Sequence, residues 1–145
     1  MRAVAIQRAG PAHAAPIGSV VLDAEARHLR RKLITCQNGA EVLVDFEKPV
    51  LLEHGDCLVL DDGRLVEVIA AEEELMEVRG RDAQHLTRLA WHIGNRHLAA
   101  QVEGERILIR RDRVIGQMLE HQGAVVRAVR EAFHPEHGAY HSHDH

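Results

Sequence analysis

Five imidazoles fall in the last twelve residues, at His134, His137, His141, His143 and His145, and the chain closes on a His-x-His-x-His run. Imidazole is the side chain that borderline divalent ions share most readily, so the segment reads first as a collector of metal. In extended backbone every second side chain points the same way, which lets His141, His143 and His145 face one ion. An engineered tag is usually an unbroken run, whereas Ser142 and Asp144 interrupt this one. A short stretch with no apolar run cannot bury enough surface to offset its ordering entropy, so it is expected to be mobile when empty.

A further donor, His97, lies in Trp91-His-Ile-Gly-Asn-Arg-His-Leu98. The helical phase of Leu86, Leu89 and Ile93 brings it near an apolar side, yet Gly94-Asn95 frees the backbone to aim it elsewhere. Two readings stay open. One is a half-buried histidine bonded to a nearby carbonyl. The other is half of a pair: one imidazole does not hold a divalent ion alone, but a twofold axis presents the same patch from both subunits. Such a pair leaves coordination positions for tail histidines or water. The donors do not select the ion, because affinity at nitrogen sites rises through nickel to copper and falls at zinc.

The other candidates are weaker. His85 and His92 read as solvated residues on one helix face, and His13, His28, His54 and His121 as isolated surface residues. Cys36 and Cys57 form no Cys-x-x-Cys unit and read as buried free thiols. Arg111-Asp-Arg113 reads as a helix start capped by Asp112. There is no His-Glu-x-x-His, no Gly-x-Ser-x-Gly and no Gly-rich phosphate loop. A non-enzyme is therefore expected. A zinc, copper or nickel buffer and, less favoured, a metal-dependent hydrolase are the rivals to a carrier.

The elements that position these donors follow from periodicity. From Gly18 to about Ala71 short apolar runs alternate with turn chemistry at Asn38-Gly39, Glu47-Lys-Pro49, His54-Gly55-Asp56 and Asp61-Asp-Gly63, which predicts a small all-β unit. Asp61-Asp-Gly-Arg64 is the clearest hairpin. After the composition change at Glu72-Glu-Glu74 come a strand at Leu75–Arg79, a helix opened by Asp82 and stopped by Gly94-Asn95, strands at Leu98–Val102 and Arg106–Arg110, a helix from Asp112 to Gly123, and a strand at Val125–Val129. The order is βαββαβ, a ferredoxin-like unit. The predicted architecture is α+β, with a β-rich domain over 1–72, a ferredoxin-like domain over 73–134 and a flexible tail over 135–145.

Composition narrows the partners. The 145 residues, 46% hydrophobic and 28% charged, suit a soluble globular chain of one ordinary domain or two small ones. A net charge of −4 gives no broad attraction for phosphate backbones, so nucleic acid is not expected as a partner. No apolar run approaches the roughly 18 to 20 residues that span a bilayer. Met1–Arg8 does not resemble a secretory signal, so a cytoplasmic location and no membrane are expected.

With these residues laid out, the chain resembles the urease accessory proteins of the UreE type. The likeness runs over nearly the whole length: a β-rich first unit, a ferredoxin-like second unit containing Gly94-Asn-Arg-His97, and Gly138-Ala-Tyr140 just before the final histidines. It implies a nickel metallochaperone, a homodimer formed through the second units, and Ni²⁺ held between the His97 of both subunits. His141, His143 and His145 would complete or feed that site, with Zn²⁺ or Cu²⁺ as competitors in vitro. It also implies delivery to urease with the other accessory proteins, including their GTPase, and a role for the first unit in protein contacts. The chain departs from the pattern at Arg111 and Arg113, where some members carry histidines, and in its shorter tail, which points to fewer ions per dimer.

Overall fold

The computed structural model describes residues 1–10 and 14–137. The chain divides into two compact units, Met1–Ala71 and Glu72–His145.

The first unit consists of β1 (Arg2–Gln7), β2 (Gly18–Leu22), β3 (His28–Thr35), β4 (Glu41–Leu51), β5 (Cys57–Leu60) and β6 (Leu65–Ala70). They form one six-stranded sheet in the order β2-β6-β5-β1-β4-β3. Alternating aliphatic residues, among them Val20, Ile34, Val42, Val44, Leu58 and Val68, pack with Phe46 into its core. The Asp61-Asp-Gly-Arg64 hairpin is present: Gly63 adopts φ 87°, its N–H donates to the Leu60 carbonyl at 2.8 Å, and β5 and β6 pair on either side. Cys36 and Cys57 are buried free thiols, as expected.

Two parts of this unit differ from the sequence expectation. Glu47-Lys-Pro49 does not separate two strands but lies within β4, where residues 46–49 stand opposite Arg30 alone, between the Leu29–Val50 and Arg31–Asp45 pairs. A bulge there accommodates Pro49, which has no N–H to give to a ladder. The start of the chain, to which the sequence assigned no element, supplies β1 between β5 and β4. Its alternation rests on small residues such as Ala3, which is fully buried but carries little hydrophobic signal.

The second unit runs β7 (Glu72–Arg79), α1 (Ala83–Asn95), β8 (Ala100–Val102), β9 (Ile107–Arg110), α2 (Arg113–His121) and β10 (Val125–Ala132). Its four-stranded sheet has the order β10-β7-β9-β8, with every neighbour antiparallel. This is the ferredoxin-like arrangement, and the fold class is α+β. Glu72 to Glu74 are the first residues of β7, already paired with β10 from Glu72–Ala132 onward. On one face of the sheet Met76, Val78, Ile107 and Ile109 meet Leu86, Leu89 and Ile93 of α1 and Leu119 of α2 in a single core. Register places Leu75, Glu77, Leu108, Arg110 and Gln101 on the opposite, helix-free face.

Candidate metal centre

Each helix of the second unit begins at an aspartate. Asp82 Oδ1 accepts from the His85 N–H at 2.8 Å, and Asp112 Oδ1 accepts from the Ile115 N–H at 3.0 Å. These side chains satisfy amide groups that have no intrahelical acceptor. The cap expected at Asp112 is thus in place. Of its neighbours, Arg111 turns its guanidinium toward the Val129 carbonyl, 3.0 Å away.

The helix ends carry the more informative chemistry. At the close of α2 the Gly123 N–H donates to the Glu120 carbonyl at 2.9 Å and the Ala124 N–H to the Leu119 carbonyl at 3.1 Å. This pair of bonds is a Schellman motif, which requires a left-handed residue that glycine fills without steric cost, and Gly123 has φ 88°. At the close of α1 the same bonds recur, from His97 N–H to the Gly94 carbonyl at 3.0 Å and from Leu98 N–H to the Ile93 carbonyl at 3.4 Å. Here the left-handed residue is His97, at φ 58°, the one non-glycine with positive φ among the described residues.

That arrangement corrects the sequence reading. Gly94 and Asn95 do not stop α1 but lie inside it. The backbone reverses at His97 itself, and the residue is exposed. Of the alternative read from the sequence, the half-burial is not found: His97 is exposed. A cation at this place is favoured by the negative end of the α1 dipole. On the same helix Trp91 stands 64% exposed, with its ring edge-on to His92 at a centroid distance of 5.1 Å.

Among the described residues no group of three or more His, Cys, Asp or Glu side chains gathers where one ion could be held. His141, His143 and His145 lie outside the described residues, as does His13. His28 is half-buried and His121 is exposed. His54 is exposed and accepts from the Ala70 N–H through Nδ1 at 3.1 Å.

His85 also departs from expectation. It is not solvated but 6% exposed. Its Nδ1 accepts from the Arg81 N–H at 2.9 Å, which leaves Nε2 to donate to the Gln122 carbonyl at 2.8 Å. His85 thus ties the start of α1 to the end of α2. The sequence signal lay in its position three residues after the capping Asp82, on the same turn as Leu86.

The helix-free face holds an ion-pair network. Arg106 reaches Glu131 at 2.8 Å, Glu77 at 3.0 Å and Glu103 at 3.1 Å. Hydrogen bonds from Arg79 and Arg106 hold the Glu77 carboxyl below its ordinary range, against the opposing effect of its burial. The Arg106 guanidinium also lowers Glu131, and its own affinity for the proton rises in return, chiefly through Glu131 and Glu103.

Comparison with known proteins agrees with this architecture. Residues 2–71 match the family model described as the UreE urease accessory protein N-terminal domain, and residues 73–145 match its C-terminal domain. Urease accessory protein UreE 1 of Brucella suis is 59% identical over 140 residues, covering 96% of this chain and 86% of its own. The UreE of Brucella anthropi is 58% identical over 147 residues, covering 99% and 86%. That of Rhizobium johnstonii is 55% identical over 134 residues, covering 92% and 68%.

Proposed function

The chain belongs to the UreE family of urease accessory proteins, and from that premise we propose that it carries Ni²⁺ to urease during assembly of the urease active site. The observation that carries the proposal is His97: an exposed imidazole kept in a left-handed backbone where the sister helix uses Gly123. Backbone strain of this kind clusters at active sites and ligand clamps.

His97 offers one nitrogen donor to the ion. A second copy of the chain, docked through its second unit about a twofold axis, offers another, and His141, His143 and His145 bring the remainder. The cargo then rests at a subunit boundary with few permanent ligands. It can leave through partly coordinated intermediates to a partner that offers more donors. The first unit supplies the contacts with urease and the other accessory proteins, including their GTPase, and the exchange takes place in the cytoplasm. No described helix is long and apolar enough to cross a membrane.

Titration calorimetry with Ni²⁺ on the native chain and on His97→Ala tests this reading. The native protein is expected to show one tight ion per two chains, and the variant to lose it. An unchanged tight site in His97→Ala refutes the assignment. Parallel titrations with Zn²⁺ and Cu²⁺, combined with urease activation in cells lacking the protein, separate a donor from a buffer.

A further inference from the structure

The two end strands of the six-stranded sheet are chemically unlike. β2, at one end, carries no charged side chain. β3, at the other, holds Arg30, Arg31 and Lys32 in succession, all exposed. Lys48 joins them, because the bulge in β4 sets residues 46–49 opposite Arg30, and it too is exposed. Of the eight lysines and arginines in the first unit, Arg2, Arg8 and Arg64 are ion-paired and Arg27 is buried. The remaining four are these, and none of them has an ion-pair partner among the described residues. Two carboxylates, Asp45 and Glu47, share this stretch of β4. Asp45 is already bonded by Arg2 at 2.9 Å. That bond first, and then the charges of Arg31 and Arg30, hold its carboxyl below the ordinary range.

β3 also presents an open backbone edge. It pairs with β4 on one side, and the backbone of residues 29–35 makes no further backbone hydrogen bond among the described residues. The open stretch is bracketed by the Leu52 N–H bond to the Arg27 carbonyl and the Gln37 N–H bond to the Ser19 carbonyl, both 2.9 Å. Seven extended residues offer an edge of about 23 Å. Leu33, 56% exposed, stands opposite Leu43 and adds an apolar contact.

An exposed edge is commonly protected from pairing with copies of itself by one inward charge. Lys32, opposite the buried Val44, supplies it. Protection does not account for Arg30, Arg31 and Lys48 as well, since β2 is an end strand with no charge at all. A second copy paired edge to edge would set cation against cation, which is destabilising. A net charge of −4 disfavours a broad polyanion, whereas a patch about one strand wide suits a single extended segment. We infer that β3 is a docking edge for an acidic, extended segment of a partner protein, which adds as a further strand and sets its carboxylates against Arg30, Arg31, Lys32 and Lys48. This interaction surface is separate from the nickel site and goes beyond the carrier reading.

The test is fluorescence anisotropy on the full chain. The probe is a labelled peptide of alternating Glu and Val, about eight residues long to match the edge. Beside it stand the matching Lys–Val peptide and a Glu–Val peptide with alternate backbone amides N-methylated. An exposed ion pair contributes a factor of about 1.4 to 5 in affinity, so Arg30→Gln/Arg31→Gln/Lys32→Gln should weaken binding of the Glu–Val peptide about tenfold. Arg88→Gln/Arg113→Gln, which removes exposed cations of the second unit, should bind it like the native chain. Raising the salt from about 0.05 M to about 0.5 M, where the screening length falls to about 4 Å, should weaken native binding as well. The N-methylated peptide should bind poorly, because it lacks the N–H groups that an added strand gives to the edge. Equal binding by the native and triple-variant chains, equal binding of the Lys–Val peptide, undiminished binding of the N-methylated peptide, or no binding of the Glu–Val peptide to the native chain each overturns the docking edge. So does a single-stranded RNA that displaces the peptide at lower concentration, since β3 is then a general polyanion surface. If the triple variant aggregates, the salt and N-methylation comparisons on the native chain decide the matter. No arm of the experiment reads nickel, so failure here leaves the carrier reading intact.

Discussion

Replacing His97 with glycine separates what this residue costs the fold from what it gives the site. A non-glycine residue in the left-handed region costs roughly 1 to 2 kcal/mol. Glycine at that position returns about 0.5 to 1 kcal/mol of the gain through its freer unfolded chain. His97→Gly should therefore stabilise the metal-free protein by about 0.5 to 1 kcal/mol, or roughly 2 to 8 °C in Tm for a unit of this size. His97→Ala retains the strained backbone and, at an exposed position, should stay within about 0.5 kcal/mol of the native chain. Both variants should lose the tight nickel site. The assay is thermal unfolding in the presence of chelator, followed by nickel calorimetry on the same samples. If both variants are destabilised equally, by more than about 1 kcal/mol, the imidazole is a structural group and the strain reasoning fails.

Other expectations follow from the same geometry. His85→Ala strands the Arg81 N–H and the Gln122 carbonyl, and should cost about 1 to 3 kcal/mol in urea unfolding with little change in nickel stoichiometry. Glu77 has its folded pKa depressed by Arg79 and Arg106. Its stabilising effect is therefore fully present above the ordinary carboxylate range near 4.3 and is lost as pH falls through the lower folded value. Glu77→Gln should flatten the acid limb of the stability profile below about pH 4.5, and an unaltered limb would assign acid sensitivity elsewhere. Because imidazole must be neutral to bind a metal, nickel affinity should weaken below about pH 6, and a flat calorimetric profile there would exclude histidine ligation. Deleting residues 138–145 should lower the number of ions bound while leaving the far-ultraviolet spectrum of the second unit unchanged.

Much of the second unit was legible because its signals are local and mutually consistent. Asp82 and Asp112 mark the helix starts, the spacing of Leu86, Leu89 and Ile93 marks the buried stripe, and Gly123 marks an end. The end of α1 was misplaced for an instructive reason. Gly94-Asn95 looks like a stop, but the left-handed turn falls on His97, a choice that propensity disfavours and that only backbone geometry reveals. His85 escaped because a histidine on a helix gives no sequence sign of which carbonyl it will meet 37 residues later. In the first unit β1 was missed because its buried Ala3 carries little hydrophobic signal and its pairing partners β4 and β5 lie far along the chain. The tail was expected to begin at Pro135, yet the Glu136 N–H is held on β8. The aromatic Phe133 directly after the last strand was the available hint that the chain stays docked there.

The central claim is that two copies of His97 share one ion. Anomalous scattering at the nickel edge from crystals of the loaded protein tests it most directly. The account predicts a single strong peak on a twofold axis, at about 2 Å from an imidazole nitrogen of each His97. Nickel found only on other residues, with the two His97 side chains too far apart to share a coordination sphere, contradicts it.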